Sequence, residues 1–177
     1  MKLCIFCSAN EQIDPYFFEK TAELGRWAAS QGHTIVYGGV GQGLMECVAK
    51  AAKEAGGHTI GVVPRIIEEG RRTSQYVDEV IACQDLNDRK QLMLEESDVF
   101  IALPGGIGTL DEVFTVAAAA TIGYHSKRVI LYNLKDFWHP LIALLDSLQA
   151  QGLMRRPWQS YIAVASTLEE LSGIISS

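Results

Sequence analysis

The sequence predicts a single α/β domain with a Rossmann-like, doubly wound sheet that is mainly parallel and covered by helices on both faces. Short, almost continuously apolar segments alternate with helical ones along the chain, and such strands are typical of a sheet buried on both sides. Glycine-rich turns follow two of these segments, where folds of this class bind ligands. With 177 residues, 48% of them hydrophobic, the chain suits one domain over residues 1–177.

Seven segments have the apolar, β-branched composition of strands. They are residues 2–7 (KLCIFC), 33–39 (HTIVYGG), 58–64 (HTIGVVP), 76–83 (YVDEVIAC), 98–106 (DVFIALPGG), 128–133 (RVILYN) and 161–165 (YIAVA).

Helices are predicted between these strands. The first begins at Pro15, which suits the first helical position, and ends at Gly32, a residue typical of helix C-termini. A capping box of Ser166 and Glu169 precedes the last one. Residues 65–75 are the one long polar connection, and we expect them to form a loop over a site. The other predicted helices cover residues 43–55, 87–97, 109–122, 137–150 and 167–175.

Composition and net charge disfavour some classes of binding partner. The net charge of −6 gives no electrostatic footprint for nucleic acid and weakly disfavours anionic membranes. No signal peptide and no apolar stretch of roughly 20 residues is recognisable, so we expect a cytoplasmic protein without a membrane partner. Cys4 and Cys7 lie on opposite faces of the first predicted strand, which favours buried thiols over a metal site.

Two glycine-rich turns predict a phosphate-bearing ligand. Without a Cβ atom, glycine lets backbone N–H groups approach an anion, and both turns precede a helix N-terminus that favours phosphate. Neither turn fits the dinucleotide or the NTPase fingerprint. Tight turns without a ligand are the alternative. The first turn contains Gly38, Gly39, Gly41 and Gly43, and the second contains Gly105, Gly106 and Gly108.

Arg89 and Lys90 fall at the start of the predicted helix 87–97. Cations there oppose the helix dipole by about 0.3–1 kcal/mol each, which suggests that they serve a ligand. Alternatively, Asp85 and Asp88 compensate them in a solvated cluster at the surface.

Glu112 has two interpretations. With Thr109 it matches the T-x-x-E capping box, and Asp111 would add to the favourable helix dipole. Otherwise it is a carboxylate one helical turn from a phosphate-binding loop, close enough to act at the sugar end of a nucleotide. Cleavage of an N-glycosidic bond needs such a group, because positive charge develops on the ribose and a water molecule must be activated.

Four segments, PGGIGTLDE, DLNDRK, YGGVGQGLM and GVVP, together resemble the Lonely Guy family of cytokinin riboside 5′-monophosphate phosphoribohydrolases. The family pattern is P-G-G-x-G-T-x-x-E with a partner motif D-M-H-x-R-K, and the resemblance extends from the first strand to about residue 175. It implies a Rossmann-like homodimer that hydrolyses a cytokinin or purine nucleoside 5′-monophosphate to free base and ribose 5-phosphate, with no cofactor.

The resemblance also implies site residues. Arg89 and Glu112 take the catalytic positions, and residues 106–109 surround the phosphate. The substrate-binding positions are Ser8, Gly38, Gly39, Leu86, Lys90, Gly105, Gly106, Ile107, Gly108, Thr109 and Asp111.

The chain departs from the family pattern at several positions. Leu86 and Asn87 replace the methionine and histidine of the partner motif, and Glu46 follows GLM where the family commonly has glycine. Ala118 and Ala119 stand at a threonine and a tryptophan. These substitutions remove a polar contact and an aromatic wall, so they concern base selection rather than phosphate and ribose.

Three other functions are less consistent with the sequence. Family members are often labelled lysine decarboxylases, but no motif identifies a Schiff-base lysine for pyridoxal phosphate. A nicotinamide oxidoreductase would need the missing dinucleotide fingerprint. A non-catalytic nucleotide or molybdenum-cofactor carrier resembles the family in fold and glycine-rich loops, and the presence of Arg89 and Glu112 favours the enzyme.

A homodimer is also expected from the segment VFTVAAAATIG, residues 113–123. This part of the predicted helix is apolar on every side, and such a helix needs packing partners all around.

Overall fold

A computed structural model describes residues 1–66, 70 and 72–176. Within them, seven strands form one sheet in the order β4-β3-β2-β1-β5-β6-β7, and every pairing between these strands is parallel. The predicted fold class is therefore confirmed. The strands are β1 (Lys2–Phe6), β2 (Thr34–Tyr37), β3 (His58–Pro64), β4 (Glu79–Cys83), β5 (Val99–Ala102), β6 (Val129–Tyr132) and β7 (Ile162–Ala165).

Helices alternate with the strands, each near its predicted position. Short 3-10 turns occur at Leu134–Asp136 and Trp158–Ser160. The helices are α1 (Pro15–Ser30), α2 (Gly43–Glu54), α3 (Leu86–Glu96), α4 (Ile107–Thr121), α5 (His139–Ala150) and α6 (Leu168–Ile175). Among the described helices, none is long and apolar enough to cross a membrane.

The sheet separates two hydrophobic cores. One contains Leu24 of α1 and Leu171 of α6, and the other contains Met93 of α3 and Val113 of α4. Successive strand residues alternate between the two cores, because side chains in a strand point to opposite faces. Cys4 and Cys7 accordingly lie in different cores, as the sequence predicts, and both are free thiols.

The direction of strand addition reverses at β1. The chain adds β2, β3 and β4 on one side of β1, and then adds β5, β6 and β7 on the other. The turns that follow β1 and β5 therefore diverge to opposite faces and leave a crevice at the carboxyl ends of these strands. Ligands of doubly wound folds bind at this position.

Four helix starts, those of α3, α4, α5 and α6, differ from the prediction by one or two residues. Helix α4 begins at Ile107 with Gly106 as its N-cap, two residues before the predicted start, because the glycine segment itself adopts helical geometry. The predicted Ser166–Glu169 capping box is wrong by one residue. The hydroxyl of Thr167 accepts a hydrogen bond from the Glu170 N–H at 3.2 Å, and the Glu170 carboxylate accepts one from the Ser166 N–H at 2.7 Å.

The long polar connection lies against the first glycine-rich turn. Residues 67–69 and 71 of the predicted loop lie outside the described residues. The Gly41 N–H donates to the Arg72 carbonyl, and the Ser74 N–H donates to the Gly39 carbonyl, both at 2.8 Å. The described part of the connection therefore covers the β2–α2 turn.

Candidate active site

A cleft of about 230 Å³ opens at the crevice between the turns that follow β1 and β5. Two larger hollows, of about 450 and 480 Å³, contain none of the predicted site residues. Nine residues line the cleft, namely Cys7, Ser8, Ala9, Met45, Arg89, Gly106, Gly108, Thr109 and Glu112.

Backbone hydrogen bonds join the turns that follow β1, β2 and β5 around the cleft. The Ser8 N–H donates to the Pro104 carbonyl at 3.1 Å, and the Ser8 carbonyl accepts from the Leu44 N–H at 2.9 Å. Gly43 has a φ of +58°, and a Cβ atom there would lie 2.7 Å from the Ala9 carbonyl oxygen. Only glycine permits this backbone conformation together with so close an approach.

The β5–α4 turn exposes unpaired backbone donors to the cleft. The first hydrogen bond within α4 runs from the Leu110 N–H to the Gly106 carbonyl, so the N–H groups of residues 107–109 have no acceptor within the helix. A Cβ atom at Gly106 or Gly108 would meet open space. The positive end of the helix dipole lies here as well. This arrangement suits a phosphate group.

Gly105, unlike Gly106 and Gly108, is needed for close packing. A Cβ atom at this position would lie 2.6 Å from the Thr109 Cβ atom. Glycine therefore lets the turn pack against Thr109, which is 4% exposed, and holds the start of α4 in place.

Arg89 reaches the cleft from the beginning of α3. Its Nε–H donates to the Val62 carbonyl at 3.2 Å, and its side chain is only 12% exposed. The Nη1 atom lies 4.0 Å from the Glu112 carboxylate, whereas the buried Nη2 atom has no hydrogen-bond partner in the part of the chain that the structure describes. A buried guanidinium with an unused donor is costly unless a ligand accepts from it.

The acidic residues near Arg89 cap helix α3 and do not neutralise the charge of Arg89. Asp85 accepts from the N–H groups of Asn87 and Asp88, and the Asp88 carboxylate accepts from the Gln84 N–H. The alternative of a compensating solvated cluster is therefore wrong for Arg89.

Glu112 lies in the second turn of α4, because that helix begins at Ile107. It cannot cap the helix from this position, so the capping-box interpretation with Thr109 is wrong. The side chain is 8% exposed, and burial raises the pKa of Glu112 to about 7, against the opposing effect of Arg89. Near neutral pH this carboxyl group can accept or release a proton, as an acid–base catalyst must.

Several predicted site residues lie outside the lining of the cleft. The Lys90 ammonium bonds both carboxylate oxygens of Asp111 at 2.9 Å, and this pair links α3 to α4 beside the cleft. Leu86 and Ile107 are 63% and 86% exposed. Gly39, with a φ of +69°, shapes the β2–α2 turn. Gly38 and Gly105 support neighbouring side chains.

Cys7, Ala9 and Met45 line the cleft although the sequence does not predict them as site residues. Met45 belongs to the GLM segment of the family resemblance, and Ala9 follows the first strand. Neither side chain has a titratable or hydrogen-bonding group that would indicate a site residue. Burial raises the pKa of the Cys7 thiol far above its ordinary value, so this group is a poor nucleophile.

Together these features define a class of protein. It is a Rossmann-like α/β protein whose switch-point cleft combines a helix N-terminus for an anion, an arginine with an unused donor and a buried carboxyl group. No lysine is present among the nine described lining residues, so the cleft offers no group for a Schiff base with pyridoxal phosphate.

Comparisons with known proteins place the chain in a family. The family model described as "Possible lysine decarboxylase" matches residues 45–175. A cytokinin riboside 5′-monophosphate phosphoribohydrolase of Arabidopsis thaliana is 36% identical over 93% of the chain and 72% of its own length. A protein of the same name from Oryza sativa subsp. japonica is 34% identical over 96% of the chain and 70% of its own length. The chain belongs to this family, and the resemblance to the Lonely Guy proteins is confirmed.

Solved structures agree with the fold. An X-ray structure from structural genomics has a TM-score of 0.77 at 26% identity, covering 99% of the chain and 98% of its own. The molybdenum cofactor binding protein of Rippkaea orientalis has a TM-score of 0.71 at 26% identity, covering 99% of the chain and 94% of its own.

Proposed function

We propose that the protein hydrolyses the N-glycosidic bond of a purine or cytokinin nucleoside 5′-monophosphate, releasing the free base and ribose 5-phosphate. The observation that carries this proposal is the buried Glu112 carboxyl group, which lies 4.0 Å from Arg89 and in the second turn of a helix whose N-terminus suits a phosphate. The relatives named as phosphoribohydrolases support it.

Recognition of the substrate begins with its phosphate. The backbone donors of residues 107–109 bind the 5′-phosphate at the start of α4. The Arg89 guanidinium, which lines the cleft, donates to the sugar phosphate. The distance from this anchor to Glu112, about one and a half helical turns, then places the carboxyl group near the ribose.

Glu112 acts on the ribose and on water. As the bond between C1′ and the base nitrogen breaks, positive charge develops on the ribose, and the ionised carboxylate stabilises it. The carboxylate then accepts a proton from the water whose oxygen bonds to C1′. The electron pair of the broken bond leaves with the base, which takes up a proton. Water is the only co-substrate of this reaction, which needs no cofactor.

A panel of nucleoside 5′-monophosphates tests the proposal. Free base, separated by chromatography, should appear from at least one purine or cytokinin nucleotide. The corresponding nucleosides should react poorly, because the helix N-terminus would have no phosphate to bind. Equal turnover of adenosine and AMP would contradict the proposed role of the phosphate site.

A carrier that binds without reaction is the second candidate, because the Rippkaea orientalis neighbour is titled a molybdenum cofactor binding protein. It predicts tight binding of a nucleotide or of a phosphorylated cofactor with no release of base. The pairing of Arg89 with Glu112 favours the enzyme, since a carrier has no need for a proton-transfer group.

We also propose that the protein is a homodimer in which the outer face of α4 contacts the second copy. Phe114 and Ile122 are 40% and 60% exposed, and Leu153 nearby is 68% exposed. They border an apolar groove of about 450 Å³ whose lining includes Leu145 and Trp158. Exposed apolar surface of this kind commonly marks an interface between proteins. Light scattering should find about twice the monomer mass of 19.4 kDa.

A further inference from the structure

Gly38, the first glycine after β2, was expected to bring backbone close to a phosphate, yet the structure gives it another environment. A Cβ atom at Gly38 would overlap the Nη2 atom of Arg89 and would lie 3.2 Å from the Arg89 Cζ atom. The Met45 Sδ atom would be 3.0 Å away. The guanidinium of Arg89 therefore occupies the space that any side chain at position 38 would fill.

Backbone conformation does not explain the glycine. Gly38 has no positive φ, so it does not occupy the left-handed region that favours glycine. Gly39, the next residue, differs in this respect because its φ is +69°. The glycine at position 38 is therefore explained by the space that the neighbouring Arg89 side chain needs.

The position of the Arg89 guanidinium depends on few other contacts. Its Nε–H is held by the Val62 carbonyl at 3.2 Å, and Nη1 is 4.0 Å from the Glu112 carboxylate. Within residues 1–66, 70 and 72–176, Nη2 has no hydrogen-bond partner. A methyl group at position 38 would push the terminal part of this flexible side chain, and the guanidinium would leave its position beside Glu112.

We propose that Gly38 is a positioning residue for the reaction, because the space it leaves holds the Arg89 guanidinium beside Glu112. The catalytic part of this inference rests on the proposed function. The geometric part, the dependence of Arg89 on Gly38, can be tested without any reaction.

A double-mutant cycle separates this role from a direct contact with substrate. The variants are Gly38→Ala, Arg89→Ala and the two combined, and Gly173→Ala is the matched control. Gly173 lies in α6, has no positive φ and faces open space. The measurements are kcat and KM for AMP, AMP affinity by calorimetry, thermal melting, and the titration of the Glu112 carboxyl carbon by NMR.

Gly38→Ala should lower kcat/KM by about 10²-fold, the effect of moving a catalytic group by about 1 Å. In the Arg89→Ala background the same change should alter kcat/KM by less than about twofold, because the methyl group then occupies the space left by the guanidinium. Gly38→Ala should also raise the pKa of Glu112 as Arg89→Ala does, since Arg89 lowers that pKa in the native protein. The control should keep the native kcat/KM, AMP affinity and Glu112 titration, and it should melt no lower than the native protein.

Three results would overturn the inference. They are native activity in Gly38→Ala, an equal loss of kcat/KM when Arg89 is already alanine, and an unchanged titration of Glu112. If Gly38→Ala fails to fold, recovery of folding in the double variant supports the clash with Arg89, and failure of both variants contradicts it. If the native protein hydrolyses no nucleotide, the proposed function fails while the titration still decides the role of Gly38.

Discussion

Replacing Glu112 by glutamine should stabilise the folded protein at alkaline pH while removing most of its activity. The side chain is 8% exposed, and burial raises the pKa of Glu112 from 4.5 to about 7. Because one pKa unit corresponds to about 1.4 kcal/mol, keeping this carboxylate ionised in the folded protein costs about 3 kcal/mol. Glutamine has nearly the same shape without the charge, so this cost disappears in the variant.

The stabilisation has a defined dependence on pH. A carboxyl group whose pKa is raised by folding contributes stability below its unfolded pKa and loses that contribution as the pH rises through its folded pKa. For Glu112 this interval extends from 4.5 to about 7. The unfolding free energies of Glu112→Gln and the native protein should therefore converge below the interval and differ by about 3 kcal/mol at about pH 8. For a chain of this size the melting temperature would rise by about 6–12 °C.

Activity should change in the opposite direction. Loss of the proton acceptor should lower turnover of AMP by about 10²–10⁴-fold with little change in AMP affinity. In the native protein the rate should rise as the pH passes through about 7, where Glu112 ionises. Burial of Glu112 thus lowers the stability of the folded protein and raises the pKa of its carboxyl group into the range useful for catalysis. Such loss of stability is common at active sites.

Denaturant titrations at about pH 5 and pH 8, with AMP hydrolysis measured on the same samples, test this reasoning. Glu95→Gln, the same chemical change at an exposed position of α3, is the control and should shift the unfolding free energy by less than about 0.5 kcal/mol. A stability difference for Glu112→Gln that is equal at both pH values would show that Glu112 is not desolvated. A fully active variant would refute its catalytic role.

Three further predictions concern the surroundings of the cleft. Arg89→Ala should weaken AMP binding as well as turnover, because it removes a donor to the sugar phosphate, and calorimetry that finds native affinity would contradict this. Gly105→Ala should lower the unfolding free energy by more than about 1 kcal/mol, since its Cβ atom would press on Thr109, while Gly173→Ala should cause no loss. Phe114→Glu should yield a 19.4 kDa monomer in light scattering, and a persistent dimer would place the interface elsewhere.

Most secondary structure could be predicted because its causes are local. Apolar runs and turn residues identified every strand of the sheet, and Pro15 correctly marked the start of α1. The errors lie at the ends of strands and helices. Gly106 caps α4 two residues before the predicted start, and Thr167 rather than Ser166 caps α6, because neighbouring polar or small residues can serve equally as caps.

The candidate site was predictable only in outline. The motif that contains Glu112 and the pair Arg89–Lys90 could be recognised from residue order. Their partners could not, because Asp111, which binds Lys90, and Val62, which binds Arg89, are distant in sequence or silent in chemistry. The packing of whole helices and strands determines which residue each of these side chains contacts.

The sequence alone determined the alternation of strands and helices, the glycine-rich turns and the presence of an arginine and a glutamate near them, since these follow from residue type and spacing. Tertiary structure decided that Glu112 is a buried acid rather than a helix cap, and that Gly38 leaves space for Arg89 rather than for phosphate. The physical reason is that desolvation and close packing depend on atoms brought together from separate parts of the chain. A pKa of about 7 is therefore a property of the assembled cleft.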